Sequence, residues 1–279
     1  MNTAPKYVWI NNEIVPAAEA KIGVTDLSIH RGYGIFDFFK IIDNRPIFID
    51  DHLNRFYRSA AAMNMEAGLN RQELKQAIRN LMEHNGMPDS AIKIILTGGY
   101  SEDGYTMGKP NLIIMQLRFK MEDPAEMKPM KLVTYNHVRQ LPAIKTIDYI
   151  QAILLRPFMK ENHADDVLYH YNNLISECPR ANIFIVTENE IITPKDSILA
   201  GITRSKVLQL SIDNYRIIER NITLTDLQSA REAFVTSSSK NACPVIAIDS
   251  QNIGDGKPGK ITGMISEKLT ALMLDQVFS

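Results

Sequence analysis

Short apolar segments with the length of single β-strands recur along almost the whole chain, and this pattern most limits the folds open to it. They outnumber the helical segments and alternate with them irregularly. Regular alternation would predict one doubly wound sheet, whereas irregular alternation favours two α+β lobes. The length of 279 residues suits one large domain or two smaller ones.

The best candidate for a boundary is the polar stretch over residues 120–129, which has neither helical nor strand periodicity. We therefore predict a small N-terminal α/β lobe over 1–119, a linker over 120–129 and a C-terminal lobe over 130–279.

Hydrophobic periodicity and turn residues predict the individual elements. The predicted strands are 7–10, 14–15, 35–42, 46–49, 92–96, 112–117, 131–135, 167–171, 183–187, 191–192 and 215–218. The predicted helices are 50–63, one that follows Asn70, one over 148–162, one that opens at 202–203 and one that ends at Phe278. Asn70 with Glu73 three residues later resembles a capping box, and Gly86 marks the end of that helix.

The charge balance argues against two classes of partner. The formal net charge is −1 and the pI is near 6.6, so no positive field is available to hold a nucleic-acid backbone or an anionic membrane. The first residues lack the apolar core of a signal peptide, and the longest apolar runs are shorter than a membrane span. We therefore expect a cytoplasmic protein without a nucleic-acid or membrane partner.

Cysteines and histidines give no sign of a metal site. Cys178 and Cys243 lie far apart and form no C-x-x-C pattern, so we expect two reduced, packed side chains. None of the six histidines forms an H-x-x-x-H or H-E-x-x-H pattern, so no metal is expected. The sequence patterns of P-loop, dinucleotide-binding and nucleophile-elbow enzymes are also missing.

Two segments are candidates for binding phosphate. Gly201 precedes a predicted helix with Thr203 in its first turn, where free N–H groups bind anions. The alternative is an ordinary helix cap. Residues 236–239 follow an apolar strand and offer hydroxyl groups to phosphate oxygens, although serine clusters also form simple turns.

Charged candidates have ordinary alternatives as well. Arg55 and Arg58 face one way on the predicted helix, so one of them can clamp a phosphate, or both are solvated. The apolar residues before Lys145 favour a neutral, nucleophilic amine, although most lysines are solvated surface groups. Glu177 follows an apolar strand, and its alternative role is to pair with Arg180 three residues later.

Taken in order, these segments resemble the fold-type IV aminotransferase family, which contains branched-chain aminotransferases, D-amino-acid transaminases and aminodeoxychorismate lyases. The resemblance covers nearly the whole chain. The matching blocks are residues 30–60 (G-x-F-D and D-H-L-x-R-F, for the family's G-x-F-E and E-H-L-x-R-L), 144–149, 176–184 (S-E-C-P-R-A-N-I-F, for T-E-G-x-x-x-N-I-F), 193–204 (T-P and L-A-G-I-T-R) and 234–259.

The resemblance implies pyridoxal 5′-phosphate as the cofactor. It gives Lys145 the Schiff base and the proton transfer, while Glu177 keeps the pyridine nitrogen protonated and Leu199 packs on the ring. The other implied cofactor-binding residues are Tyr149, at the phenolic oxygen or the pocket, and Arg55, Ile202, Thr203 and Ser238, at the phosphate.

The same resemblance implies an architecture and a set of partners. We expect a fold-type IV, α+β (α/β) protein with a small N-terminal lobe, a larger C-terminal pseudo-barrel lobe and the cofactor between them. The implied substrates are an amino acid and a 2-oxo acid, and the implied assembly is a homodimer whose active sites share residues.

The sequence departs from the family around the substrate. D-amino-acid transaminases commonly bind the α-carboxylate with the arginine of T-R-G, which is Gly98 here. Phe36 stands where those enzymes often carry tyrosine, and Lys40 where branched-chain enzymes have a pocket arginine. Arg31 and Arg180 are both unexpected at their positions. Our hypothesis is that these two arginines replace the missing arginine as the clamp that binds the substrate carboxylate, and that Arg31 acts across the dimer interface. Alternatively, Arg180 pairs with a neighbouring carboxylate and Arg31 orders a loop.

Four interpretations of the function remain at this point. The preferred one is a D-amino-acid transaminase with an atypical clamp, in which Ser239 also binds substrate. The alternatives are a branched-chain L-amino-acid aminotransferase, an aminodeoxychorismate lyase and a non-catalytic relative that binds the cofactor. Both Lys145 and Glu177 are present, which argues against the last.

Overall fold

A computed structural model describes residues 6–120, 123 and 126–278. The chain forms two compact units. The first comprises Met1–Met121, Ile144–Asp148 and Gln276–Ser279, and the second comprises Glu122–Ala143 and Tyr149–Asp275. Of the predicted linker, residues 121, 122, 124 and 125 lie outside the described residues.

The segment that carries Lys145 belongs to the first unit, whereas the sequence analysis assigned it to the C-terminal lobe. Backbone hydrogen bonds explain the difference. The Phe36 N–H donates to the Lys145 carbonyl at 2.9 Å, and the Ile147 N–H donates to the Gly34 carbonyl at 3.0 Å. The lysine segment is thereby attached to a strand that lies more than one hundred residues earlier in the chain.

The first unit contains a six-stranded antiparallel sheet with the strand order β2-β1-β6-β5-β3-β4. Its elements are β1 (Tyr7–Ile10), β2 (Glu13–Pro16), α1 (Leu27–Arg31), β3 (Gly34–Ile42), β4 (Arg45–Pro46), α2 (Ile49–Ala62), α3 (Arg71–Asn85), β5 (Ser90–Thr97) and β6 (Leu112–Arg118).

Local sequence determines most of these boundaries. The capping box is confirmed: the Asn70 side chain accepts from the Glu73 N–H at 3.0 Å, and the Glu73 carboxylate accepts from the Asn70 N–H at 2.7 Å. Gly86 ends α3 in the left-handed conformation with φ of 60°. The predicted return strand over 46–49 is present but shorter, because β4 pairs with β3 only at Arg45–Pro46, Phe48 adopts a φ of 53° and α2 begins at the next residue.

Strand β3 separates the two faces of the first sheet. Ile35, Phe39 and Ile41 alternate along it and are at most 1% exposed in a core shared with α2 and α3. Asp37 has the same parity and therefore points into this core. Phe36 has the opposite parity and points to the other face.

The second unit contains a ten-stranded mixed sheet with the order β13-β12-β11-β14-β15-β7-β8-β9, in which β10 pairs with β11 and β16 with β15. Its strands are β7 (Met130–Asn136), β8 (Asp166–Tyr171), β9 (Leu174–Ile175), β10 (Glu177–Cys178), β11 (Ala181–Val186), β12 (Glu190–Thr193), β13 (Arg216–Glu219), β14 (Glu232–Ser237), β15 (Asn241–Ile248) and β16 (Gln251–Asn252). The remaining helices are α4 (Ile150–Leu154), α5 (Arg156–Glu161), α6 (Ile202–Leu208) and α7 (Lys260–Phe278), and a short 3-10 helix covers Asp226–Ser229.

The single helix predicted over 148–162 is wrong, because the segment forms α4 and α5 with Leu155 between them. Pro157 in the first turn of α5 gives the physical reason. Proline has no N–H to donate to the carbonyl four residues earlier, so a continuous helix would lose that bond and its ring would clash with the previous turn.

Both faces of strand β11 are covered. Ile183 and Ile185 pack in one core, while Phe184 lies on the opposite face, stacked on Phe234 of β14 with a centroid distance of 4.8 Å. Strands buried on both faces have continuous rather than alternating apolar sequences, as β11 does. This rigid strand follows directly on the short strand that carries Glu177. Within the described ranges, no helix has the length and apolar character needed to cross a membrane.

Candidate active site

In the first unit, Lys145 is held against strand β3. Its side chain is half-buried, and its Nζ atom lies 4.5 Å from the centroid of the Phe36 ring. The Lys145 N–H contacts the Ser59 Oγ of α2 at 3.4 Å, and its carbonyl accepts the β3 hydrogen bond described above. The amine therefore projects from a fixed backbone beside an aromatic face.

A second amine lies near the same ring. The Lys93 Nζ atom of β5 is 5.1 Å from the Phe36 centroid, and desolvation lowers the pKa of Lys93. No carboxylate pairs with Lys93 among the residues that the structure describes. Lys93 was not among the residues predicted from the sequence. Lys93 lies opposite Phe38 in the β3–β5 ladder and so shares the face of Phe36, which only the strand register reveals.

Arg55 of α2 forms a two-pronged ion pair with Asp37 of β3. Its Nε donates to the Asp37 Oδ2 at 2.9 Å and its Nη2 to Oδ1 at 2.8 Å. His52, one turn earlier on α2, places its Nδ1 2.7 Å from the same Oδ1. The side chains of all three are at most 5% exposed.

The charge states within this cluster follow from its contacts. Burial opposes ionisation of Asp37, but Arg55 and His52 outweigh it, and the pKa of Asp37 lies well below its usual range. Burial also lowers the pKa of His52, despite the opposing attraction of Asp37. His52 is therefore neutral near pH 7, and because ionised Asp37 can only accept, the histidine proton resides on Nδ1.

In the second unit, Glu177 is a buried carboxylate with 4% exposure. Its Oε2 accepts from the Leu199 N–H at 2.9 Å and from the Asn182 Nδ2 at 3.2 Å. The Nε of Arg139 lies 3.6 Å from Oε1. Arg139 is thus a cation beside Glu177, whereas Arg180 lies beside Asp166 and not, as the alternative had it, beside Glu177. Arg139 was missed because it lies 38 residues upstream with no motif to mark it.

The first turn of α6 lies beside the same asparagine. Gly201 is the extended N-cap residue and no side chain caps the helix. A Cβ atom at Gly201 would collide with Asn182 Oδ1, so this close approach requires glycine. Ile202 and Leu199 are buried and Thr203 is half-buried. The backbone N–H groups of Ile202 and Thr203 are those that sequence analysis assigned to phosphate.

A small cavity of about 50 Å³ is lined by Arg180, Ser239, Lys240 and Asp166, among others. The Arg180 side chain is 70% exposed, and its Nη2 lies 3.9 Å from Asp166 Oδ2, beyond hydrogen-bonding distance. Burial raises the pKa of Asp166, and the attraction of Arg180 and Lys240 only partly offsets it. Ser238 is half-buried in the adjoining turn. Lys240 was missed because a lysine in a serine-rich turn has no distinctive pattern.

Three further predicted residues have the following positions. Arg31 is exposed at the end of α1, where its Nη1 donates to the His30 carbonyl at 3.2 Å. Lys40 is 3% exposed on the Phe36 face of β3, roughly 13 Å along the strand from Phe36, with its Nζ 5.5 Å from the Phe119 centroid. Tyr149 is half-buried and immediately precedes α4.

Among the described residues, no cluster of histidine, cysteine or carboxylate side chains has the arrangement of a metal site.

Known proteins resemble this chain over nearly its full length. The sequence model of the family "Amino-transferase class IV" matches residues 34–248. The D-alanine aminotransferase of Bacillus licheniformis is 25% identical over 276 residues, covering 96% of this chain and 98% of that protein. The putative branched-chain-amino-acid aminotransferase of Methanocaldococcus jannaschii is 27% identical over 276 residues, covering 94% of each.

Solved structures share the fold. The branched-chain amino acid aminotransferase from Thermobaculum terrenum in its PLP form superposes with a TM-score of 0.89 at 22% identity, covering 99% of this chain and 96% of that chain. The Escherichia coli branched-chain amino acid aminotransferase also gives 0.89 at 22% identity, covering 96% and 95%. The predicted fold-type IV architecture is confirmed.

The side chains fit the cofactor of this family. The half-buried amine of Lys145 suits an aldehyde, the buried carboxylate of Glu177 suits a ring nitrogen, and the guanidinium of Arg55 suits a phosphate. Each of these groups is fixed by contacts within its own unit. The match over residues 34–248 and this donor set together show that the chain belongs to the class IV aminotransferase family of pyridoxal-phosphate-dependent enzymes.

Proposed function

We propose that this aminotransferase moves amino groups between D-amino acids and 2-oxo acids, with Lys145 as the residue that holds the cofactor and transfers the proton. The observation that carries the cofactor assignment is the position of the Lys145 amine, 4.5 Å from the Phe36 ring on a segment fixed to β3. A positioned amine is what proton transfer at a substrate Cα requires.

When bound, pyridoxal phosphate supplies an electron sink for the negative charge that develops at Cα. The protein must then hold the ring nitrogen protonated, and the ionised form of Glu177 would do so. The neutral donors on its Oε2, Leu199 and Asn182, fix the direction of the carboxylate. In this proposal Arg55, Ile202, Thr203 and Ser238 bind the phosphate, Leu199 packs on the ring, and Tyr149 contacts the phenolic oxygen or the pocket.

The substrate carboxylate requires a different solution from that of other D-amino-acid transaminases. A Cβ atom at Gly98 would lie 2.8 Å from the Tyr33 ring and 3.0 Å from the Leu27 Cβ, so an arginine does not fit at this position without rearrangement. The exposed guanidinium of Arg180 lines a cavity with Ser239 and Lys240. We assign the carboxylate to Arg180 and Ser239, assisted by Lys240, and to Arg31 of a second copy in a homodimer.

The specificity test is a panel of D- and L-amino acids, each given to the holoenzyme in a single-turnover half-reaction while the absorbance of the bound cofactor is followed. We expect conversion with D-amino acids. In Arg180→Ala and Lys240→Ala, the amino-acid concentration at half-maximal rate should rise by about tenfold to one hundredfold, since each charge-assisted hydrogen bond contributes about 1.5–3 kcal/mol. An unchanged concentration dependence in both variants would contradict the clamp.

A branched-chain L-amino-acid aminotransferase is the second candidate. It is supported by the Methanocaldococcus jannaschii relative, by Phe36 in place of tyrosine and by the position of Lys40 on the Phe36 face of β3. The same panel separates the two candidates. Conversion with L-leucine, L-isoleucine and L-valine, and none with D-amino acids, would replace the D-specific assignment.

A further inference from the structure

The ion pair between Arg55 and Asp37 uses only part of the guanidinium. Nε and Nη2 both donate to the Asp37 carboxylate. Nη1 has no hydrogen-bond partner among the residues that the structure describes. One edge of the guanidinium is thus bound to the protein, and the remaining nitrogen is available to a ligand.

Asp37 is itself held from two directions. It is fully buried on the core face of β3, it accepts from the Phe38 N–H at 2.8 Å, and it accepts from the neutral His52 at 2.7 Å. His52 and Arg55 are three residues apart on α2, so one face of that helix presents both donors to a single carboxylate. The orientation of Arg55 therefore depends on the packing of α2 on β3.

We propose that Asp37, supported by His52, is a positioning residue that fixes Arg55 so that its Nη1 meets the phosphate of the cofactor. This inference rests on the proposed role of Arg55 in phosphate binding. A long, flexible arginine loses rotamer freedom when it binds a ligand, and a carboxylate that has already ordered it removes that cost.

A purely electrostatic role for Asp37 leads to the opposite expectation. If Asp37 only neutralised a buried cation, its loss would free the full charge of Arg55 and strengthen phosphate binding. If Asp37 positions Arg55, its loss weakens phosphate binding. The two accounts differ in the sign of the effect, which makes the proposal decidable.

The experiment compares the dissociation constants of pyridoxal 5′-phosphate and pyridoxal for the full-length apoprotein and for Asp37→Asn. The ratio of the two constants isolates the phosphate contribution. We expect Asp37→Asn to weaken binding of the phosphorylated cofactor by about tenfold to one hundredfold, the range known for removing the partners that orient metal ligands, and to leave the binding of pyridoxal unchanged. Asp50→Asn is the matched control, since Asp50 lies on α2 but is exposed and paired with Lys75.

Two further variants keep the test decisive if Asp37→Asn does not fold. His52→Asn removes the support of Asp37 and should give a smaller change in the same ratio, whereas Asp37→Glu should restore much of the ratio. A ratio that stays at the wild-type value, or tighter binding of the phosphorylated cofactor, would overturn the proposal.

If Arg55→Lys lowers the ratio and the Asp37 variants do not, only the positioning role fails. If Arg55→Lys also leaves it unchanged, the phosphate assignment of Arg55 fails.

Discussion

Two buried carboxylates, one in each unit, differ in what surrounds them. Asp37 accepts hydrogen bonds at 2.7–2.9 Å from two nitrogens of a guanidinium and from a histidine. The Oε2 of Glu177 accepts from a backbone N–H and an amide, and the Nε of Arg139 lies 3.6 Å from its Oε1.

The difference indicates different uses of the same chemical group. A carboxylate matched to a guanidinium has most of its field cancelled and serves to hold the arginine in place. A carboxylate whose hydrogen bonds on one oxygen come from neutral donors keeps more of its field for a ligand in a low-dielectric site. Asp37 therefore has a structural role, whereas Glu177 is the carboxylate suited to interact with a cofactor.

The largest expected effect is on stability. Asp37→Asn leaves the buried Arg55 without its counterion, so the free energy of unfolding of the apoprotein should fall by about 3–5 kcal/mol. Urea denaturation measures this change. Asp50→Asn, which removes an exposed partner of Lys75, should cost no more than about 1 kcal/mol. Equal losses in the two variants would contradict the structural role of Asp37.

The next effect is on the reaction rate. Glu177→Gln keeps the shape but removes the charge, and kcat should fall by about one hundredfold to one thousandfold, as for other groups that stabilise charge in a transition state. The free energy of unfolding should change by about 1 kcal/mol or less, since a glutamine oxygen still accepts from Leu199. Rapid-quench kinetics and urea denaturation of the same preparation test both parts. If Glu177→Gln strongly lowered the free energy of unfolding and left kcat unchanged, Glu177 would have the structural role that is assigned here to Asp37.

A smaller effect is expected from the amide that orients Glu177. The Asn182 Nδ2 donates to Glu177 and, at 2.8 Å, to the Leu199 carbonyl. Asn182→Ala leaves buried acceptors unsatisfied and should lower the free energy of unfolding by about 1–3 kcal/mol, with a smaller drop in kcat than Glu177→Gln. A kcat equal to that of wild type would show that neutral donors do not orient this carboxylate.

The smallest expected effect is the change of stability with pH. Asp37 and His52 both have a pKa that is lower in the folded protein than in the unfolded chain. Their contribution to stability is therefore complete above the unfolded pKa values, about 6.5 for histidine and 3.9 for aspartate. It is lost as the pH falls through the folded values, with a slope of at most about 1.4 kcal/mol per pH unit for each group. Urea midpoints measured between pH 7 and pH 4 should fall less steeply in His52→Asn than in wild type, and parallel curves would contradict this.

Local sequence predicted much of the fold. Helix α3 was placed correctly at both ends, because Asn70 and Glu73 act within one turn at its start and Gly86 acts locally at its end. Two predicted elements have wrong bounds for local reasons, the left-handed Phe48 that shortens a strand and the Pro157 that interrupts a helix, and α1 and β15 were not predicted. Each of these effects acts at a single residue, so hydrophobic periodicity averaged over a longer window does not register it.

The sequence alone determined which residues are candidates: Lys145, Glu177, Arg55 and the glycine before α6 are recognisable from residue types in a fixed order. The tertiary structure alone decided their partners. Packing of α2 on β3 joins Arg55 to Asp37, strand pairing brings Lys93 to the ring of Phe36, and folding of the second unit sets Arg139 beside Glu177. Motifs record short-range geometry, whereas these contacts depend on strand register and helix rotation, which packing determines over the whole unit.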